Sequence, residues 1–78
     1  MKNEIVVSIV FETEEVDISV DPDIRVHDLM RIIGRRFRIS KDYFFYSMNH
    51  SKKLNSDKSL SDELIWDGDI LEIHIQGG

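Results

Sequence analysis

The sequence predicts an α+β domain in which one helix packs across a mixed sheet of four to five strands. Three observations lead to this fold class: two adjacent strand-like segments open the chain, one amphipathic helical segment follows them, and a short alternating strand closes it. The 78 residues suffice for one domain, and 41% hydrophobic with 32% charged residues is the composition of a folded globule rather than a disordered tail.

The first two strands form a hairpin. Residues 5–11 are rich in β-branched side chains, in a run too short for a typical helix. After an acidic turn at residues 12–15, residues 16–20 alternate apolar and polar side chains, which is the period of a strand with one buried face. Pro22 ends the hairpin because proline has no N–H to donate to a ladder.

A single amphipathic helix follows the hairpin. Its apolar side chains, spaced to share a stripe about 100° wide, are Val26, Leu29, Met30, Ile33 and Phe37. The opposite side carries Arg31, Arg35 and Arg38, which form either a solvated surface or a docking face for an acidic partner. Gly34 inside the helix costs about 1 kcal/mol relative to alanine, which suggests that a neighbouring strand comes close there.

The second half of the chain supplies the remaining strands. The aromatic run at residues 43–46 favours a strand with bulky side chains on both faces, and residues 47–53 are interpreted as a polar loop. In residues 70–75 every second side chain is apolar, which predicts the last strand of the sheet. This order of elements is the β-grasp arrangement, and it leaves one face of the sheet uncovered as a candidate docking surface.

The segment between these strands is irregular. Leu54 and Leu60 are isolated apolar anchors, and one helical turn is expected there with Ser59 or Ser61 as its cap. Trp66 stands beside a glycine-containing turn, where it is either a lid on the edge of the core or an exposed anchor for a partner.

The composition excludes several classes of function. The absence of cysteine removes disulfide scaffolds, zinc fingers and thiol catalysis, and it fits a reducing, cytoplasmic setting. Ten Lys and Arg against fifteen Asp and Glu give 10 − 15 = −5, which disfavours nucleic-acid binding. No apolar run approaches the roughly 18–20 residues that span a bilayer. No nucleophile–base pair, phosphate-binding loop or metal-ligand spacing is recognisable, so we expect neither an enzyme nor a cofactor or metal.

The last third of the chain resembles ubiquitin. Residues 52–62, KKLNSDKSLSD, are similar to the lysine–x–leucine segment of ubiquitin and the threonine–leucine–serine–aspartate turn that follows it. Upstream, residues 20–22 and Ile39 fall in register with the same family, and Gly77-Gly78 follows the final strand. The resemblance covers nearly the whole chain and implies the ubiquitin-like fold.

The resemblance also implies a protein modifier, which is a reactant and not a catalyst. An activating enzyme would adenylate the carboxylate of Gly78, a conjugating enzyme would pass it to an amine of a target protein, and a deconjugating peptidase would release it. Gly77 and Gly78 lack Cβ atoms and so fit a narrow active-site channel. The expected division is a ubiquitin-like domain at residues 1–75, monomeric, with a flexible tail at 76–78. Lys52 matches the main chain-linkage lysine of ubiquitin and is a candidate acceptor, or else a solvated charge.

Two other functions stay open. Only Gln76 separates the last strand from the glycine pair, and such a short tail is more similar to the sulfur carriers of thiamine and molybdopterin biosynthesis, which would hold a thiocarboxylate at Gly78. Residues 60–71 also resemble non-conjugated ubiquitin-like proteins associated with type VII secretion, which lack the glycine pair. The matches at residues 52–62 favour the modifier branch, whose small bacterial members are encoded in ubiquitination-like operons.

Candidate partner-binding residues follow from the same resemblance. His74 matches a position of the apolar patch through which ubiquitin binds most partners, and it replaces an aliphatic side chain with a titratable one. Val6 and Val10 are expected on the same side, together with Tyr46 or its neighbour in the aromatic run. The tail of ubiquitin carries arginines that its activating enzyme reads, whereas Gln76 is uncharged.

Overall fold

The computed structural model describes residues 3–76, which contain five strands and one helix. In chain order the elements are β1 (Ile5–Phe11), β2 (Glu14–Val20), α1 (Val26–Phe37), β3 (Tyr43–Ser47), β4 (Lys52–Lys53) and β5 (Ile70–Ile75). The strands form one sheet in the order β2-β1-β5-β3-β4, in which β1 and β5 are parallel and all other neighbours are antiparallel. The predicted α+β, β-grasp architecture is confirmed.

One face of the sheet and one face of α1 enclose the core. Because side chains alternate along a strand, Ile5, Val7 and Ile9 of β1 are buried whereas Val6 is 44% exposed. The buried residues of the helix all belong to its predicted apolar stripe and are Val26, Leu29 and Ile33. Phe45 of β3 is also fully buried, so the opposite sides of the aromatic run have different environments.

The irregular segment between β4 and β5 packs against the same core. Its apolar anchors are all buried: Leu54, Leu60 and Ile65. The expected helical turn is present with Ser59 as its cap, whose Oγ accepts a hydrogen bond from the Asp62 N–H at 3.0 Å. The Val26 N–H, which has no acceptor within its own helix, donates to the Lys58 carbonyl at 2.8 Å. The segment therefore fixes the start of α1 as well as covering the core.

Two strand boundaries differ from those predicted. The segment 47–53, interpreted as a loop, contains β4, in which Lys52–Lys53 pairs with the end of β3. A two-residue strand is too short to produce an alternating pattern, so its polar composition concealed it. The hairpin turn is limited to Glu12–Thr13, because Glu12 takes a left-handed backbone conformation (φ 57°) that reverses the chain within two residues.

The helix ends at Phe37, and Arg38 is the residue that caps it. Arg38 adopts a left-handed conformation (φ 56°, ψ 44°), and its N–H is directed at the carbonyls of Gly34 and Arg35. Such a residue terminates a helix and satisfies carbonyls that lack a partner in the last turn. Arg38 thus lies on the cap of α1 instead of on the helix itself. Over residues 3–76, no helix is long and apolar enough to cross a membrane.

Gly34 lies where β3 approaches the helix. A Cβ atom at Gly34 would lie 3.3 Å from the Tyr43 hydroxyl oxygen, which is close contact. That hydroxyl donates a hydrogen bond to the Met30 carbonyl and so joins β3 to α1. Burial raises the pKa of Tyr43 to about 12, which extends to higher pH the range in which the phenol stays protonated and donates. The close approach predicted at Gly34 is made by a side chain of β3.

We expect Tyr43→Phe to lower the free energy of unfolding by about 1 kcal/mol, because the Met30 carbonyl loses its tyrosine donor. Tyr46→Phe is the matched control, since within residues 3–76 no hydrogen bond to the Tyr46 hydroxyl is present, and its effect should stay within about 0.5 kcal/mol. Urea denaturation of both variants measures the difference. Equal stabilities for the two variants would contradict a structural role for the Tyr43 hydroxyl.

Candidate functional site on the outer face of the sheet

The face of the sheet turned away from α1 carries the candidate site. Strand alternation places Phe44 and Tyr46 of β3 on this outer face, opposite the buried Phe45. In the antiparallel register of β3 with β5, Phe44 lies beside His74 and Tyr46 lies beside Glu72. Among the described residues no second layer of secondary structure packs on this face. The outer face is therefore an aromatic surface accessible to a partner.

His74 lies at the centre of a cluster of aromatic and charged side chains. Its imidazole stacks on the Tyr46 ring with centroids 5.2 Å apart and planes 16° apart, and it meets the Phe44 ring at 5.3 Å. Its Nε2 lies 2.9 Å from the Glu72 Oε1. The Lys53 ammonium lies 4.7 Å from the centroid of the Phe44 ring, in cation–π geometry. We call these five residues the His74 cluster.

The His74 cluster combines rigid rings with polar atoms at the surface. The His74 side chain is 42% exposed, so its ring edge reaches solvent although neighbouring rings hold its orientation. Aromatic side chains contribute a large contact area while losing little conformational entropy on binding. The cluster suits a partner that covers the rings with apolar groups and pairs with Glu72 or Lys53 at the edge.

The structure brings four of the predicted partner-binding residues to one face. Val10 lies beside Glu72 in the parallel register of β1 with β5, next to the His74 cluster. Val6 is on the same face, 44% exposed, but nearer the opposite end of the sheet. Tyr46 is the member of the aromatic run that stacks on His74, which resolves the register left open by the sequence. Whether these residues bind a partner stays a prediction.

Phe44, Lys53 and Glu72 belong to the cluster but were not singled out from the sequence. The alternation in residues 43–46 already required two aromatic rings on one face once Phe45 was buried. The pairing of Lys53 with this face had no local signal, because it depends on the two-residue strand β4. Pairing between segments that are distant in sequence decides which side chains lie next to one another across the sheet.

Lys52 lies away from the His74 cluster, in an ion pair. Its register partner is Ser47, a buried position on the core side of the sheet, and its ammonium lies 2.8 Å from the Glu63 Oε2. The other oxygen of Glu63 accepts the Asn55 N–H at 2.8 Å. The hydrogen bond from Lys52 outweighs the effect of burial and lowers the pKa of the Glu63 carboxyl. Its role as an acceptor lysine stays a prediction, and Lys52 also has a structural contact.

This ion pair predicts an acid-sensitive contribution to stability. The folded-state pKa of Glu63 is lower than its unfolded value, so its contribution is fully present above the ordinary pKa of 4.5 and is lost as pH falls through the folded-state value. We expect Glu63→Gln to lower the free energy of unfolding at pH 7 by about 1–3 kcal/mol. It should also flatten the stability profile below about pH 4.5.

The matched control for Glu63→Gln is Glu15→Gln, which removes a carboxylate at an exposed position of β2. Thermal denaturation of both variants and the parent protein between pH 3 and pH 7 gives the comparison. If the control flattens the acid limb as much as Glu63→Gln does, the pair with Lys52 is not its source.

The three predicted arginines occupy a different surface. Arg31 and Arg35 lie on the exposed side of α1, and Arg38 lies on its cap, where it lines a groove with Phe11 and Ile75 of the sheet. Across residues 3–76 no carboxylate lies within ion-pair distance of any of the three. Their charge is therefore not neutralised by the described part of the fold, as a docking face for an acidic surface requires.

Gln76 marks the point where the described chain leaves the sheet. Its N–H donates to the Asp42 carbonyl at 2.9 Å, while its side chain is exposed. It also lines an open groove of about 630 Å³ whose other lining residues include Lys41, Tyr43 and Lys53. Gly77-Gly78, the predicted site of conjugation, lies outside the described residues. In residues 3–76 no three carboxylate or imidazole side chains are grouped to hold a metal ion.

Several solved structures share this fold. A designed protein based on ubiquitin superposes with a TM-score of 0.83 at 17% identity, covering 96% of this chain and 92% of that one. A ubiquitin-like domain of an Arabidopsis thaliana protein gives a TM-score of 0.83 at 18% identity, covering 96% and 80%. The ubiquitin of Caldiarchaeum subterraneum gives 0.80 at 12% identity, covering 97% and 98%. No protein-family profile and no curated protein matches the sequence.

The chain therefore has the α+β ubiquitin-like fold, with one helix on a five-stranded mixed sheet. Identities below 20% establish the fold alone, because one fold carries many functions. The function must be argued from the surfaces of this chain.

Proposed function

We propose that this protein is a ubiquitin-like modifier that acts in the cytoplasm. Enzymes dock on its outer face and join the Gly78 carboxylate to amines of target proteins. The chain is the reactant in this scheme and not the catalyst. Its partners are an activating enzyme, a conjugating enzyme, a deconjugating peptidase and the targets.

The observation that carries the proposal is the route from the His74 cluster to the glycine pair. His74 lies on β5, which ends at Ile75, and in the sequence only Gln76, whose N–H donates to the Asp42 carbonyl, separates that strand from Gly77-Gly78. An enzyme that covers Tyr46 and His74 therefore contacts the strand that leads to the reacting carboxylate. Docking at a fixed distance from the reacting group is what positions it for transfer.

The chemistry at Gly78 requires no side chain of this protein. Attack of the carboxylate on the α-phosphate of ATP releases pyrophosphate and gives an acyl adenylate. An enzyme thiol then displaces AMP, and finally a lysine amine displaces the thiol to give an isopeptide bond. Glycine is suited to this role because, without Cβ atoms, its backbone enters a narrow channel.

A specific observation favours a sulfur carrier as the second candidate. In the sequence only Gln76 separates β5 from the glycine pair, and its N–H donates to the Asp42 carbonyl. A short tail resembles that of the sulfur carriers, in which sulfide-level sulfur from a donor displaces AMP from the acyl adenylate to give a thiocarboxylate. The Gly78 carboxylate is the reacting group in both candidates.

Expression of an N-terminally tagged chain in its native organism tests the proposal. We expect the tag to appear on several larger proteins, and these species should vanish when Gly78 is deleted. Lys58 is the last lysine or arginine in the sequence, so trypsin digestion of a conjugate should leave the peptide 59–78 attached to a target lysine. Tandem mass spectrometry identifies that branched peptide directly.

The control for the Gly78 deletion is Thr13→Ala, an exposed position in the hairpin turn, which should leave any conjugates unchanged. Intact-mass measurement of the free protein separates the candidates, since replacement of one carboxylate oxygen by sulfur adds the mass difference of the two elements. A thiocarboxylate without conjugates supports the carrier. A free, unmodified protein whose behaviour is unaffected by Gly78 deletion leaves a non-covalent interaction module.

A further inference from the structure

Five large apolar side chains gather at one end of the sheet without being covered. The exposed fractions of Val6, Met48, Leu64, Trp66 and Ile70 are 44%, 47%, 68%, 60% and 39%. Val6 and Ile70 lie near the starts of the two parallel central strands, and the Met48 N–H donates to the Ile70 carbonyl at 3.1 Å. We call this surface the Trp66 patch. Concentrated exposed apolar area marks interaction sites in soluble proteins.

Trp66 is presented by a rigid turn. The backbone N–H of Trp66 donates to the Asp69 Oδ2 at 2.7 Å, and the backbone N–H of Asp69 donates to the Trp66 carbonyl at 3.1 Å. The turn is fixed to β1 by the Gly68 N–H on the Val6 carbonyl and by the Val6 N–H on the Asp67 Oδ1, both at 2.8 Å. Because Trp66 is 60% exposed, the interpretation of Trp66 as a lid on the edge of the core is wrong. A preorganised, exposed tryptophan is a strong binding anchor because little freedom is lost when it is covered.

The loop that carries Trp66 is acidic in sequence, and it is contacted by His50 at the Leu64 carbonyl and by Lys52 at the Glu63 carboxylate. From residue 59 to residue 76 the sequence contains no Lys or Arg, and it contains five carboxylates: Asp62, Glu63, Asp67, Asp69 and Glu72. Glu63 and Asp69 are buried, whereas Asp62 and Asp67 are exposed on the loop that carries Trp66. A surface that covers this patch must therefore be apolar at its centre and positively charged at its rim.

The exposed side of α1 has that chemistry. Ile32 is 54% exposed, although the other apolar residues of the helix face the core or its edge. Helical spacing places Arg35 and Arg36 three and four residues after it, where their side chains flank it. Arg31 extends the positive charge on the same exposed side. We call these four residues the Ile32 surface.

We propose that the Trp66 patch of one molecule binds the Ile32 surface of a second copy of this chain. Trp66 contacts Ile32 at the centre of the interface, and Asp62 and Asp67 face the arginines of the partner. Val6 and Ile70 of the patch lie on the face of the sheet opposite α1, because they alternate with core residues along their strands. One molecule cannot join its own two surfaces, so the contact is head-to-tail and adds copies in a row.

The proposal is independent of Gly78, because neither surface includes the tail. It replaces the expectation of a strict monomer with weak, concentration-dependent association. An interface of one helix face and one loop is smaller than about 1,200 Å², which is typical of transient contacts. We expect a dissociation constant of about 100 µM for this contact, which is a weak affinity.

Sedimentation velocity of the full chain from about 10 µM to 1 mM measures the association. We expect Trp66→Ala and Ile32→Glu each to weaken it at least tenfold, since each removes one side of the contact. An equimolar mixture of the two variants should form a one-to-one dimer and nothing larger, because each retains the surface that the other lacks. Trp66 is the only tryptophan, so its emission reports burial in that dimer directly.

Arg35→Glu should also weaken the association, whereas Lys41→Glu, the same charge reversal away from both surfaces, should not. Circular dichroism checks that every variant is folded, as expected for exposed positions. A parent protein that stays monomeric up to 1 mM overturns the proposal. Association that survives either single substitution, or variants that fail to pair when mixed, overturns it equally.

Discussion

The parallel pairing of β1 with β5 joins the beginning and the end of the chain at the centre of the sheet. Parallel neighbours cannot be connected by a tight turn, so everything between these strands must be placed elsewhere in the fold. The hairpin partner β2 extends one side, β3 and β4 extend the other, and α1 covers the core face. Long-range contacts of this kind make the two ends of the sequence interdependent. Ile9 and Leu71, which pair across these two strands, are both fully buried in the core.

The same pairing fixes what the outer face presents. Once β5 lies between β1 and β3, strand alternation sets His74 beside Phe44 and Val10 beside Glu72. The site is a consequence of register, and no loop is needed to build it. A polar residue at its centre gives this face a character different from a purely aliphatic patch. Stacking between rings and one carboxylate contact orient the imidazole.

The fold could be predicted because its strongest signals are local. The period of two in β2 and β5 and the single apolar stripe of α1 each show in a few consecutive residues, and together they fix the fold class. What could not be predicted depends on contacts between distant segments. The strand β4 is defined only by pairing, the exposed position of Trp66 by the turn bonded to β1, and the partner of Lys52 by a carboxylate eleven residues away. The role of Gly77-Gly78 lies outside the described part of the chain.

The edges of the sheet have a consequence for how copies of the protein meet. The unpaired N–H and C=O groups of an edge strand can pair with a strand of another molecule, which leads to aggregation. One edge here is β4, only two residues long, and the other is β2, whose outward-facing Glu15 and Asp17 are exposed carboxylates. Two β2 borders repel one another, and the β4 border, which carries Lys52 and Lys53, provides almost no template because it is only two residues long. The acidic β2 border and the short β4 border therefore each disfavour growth of the sheet by pairing with a second copy of themselves, and side-chain surfaces are left as the means of contact between molecules.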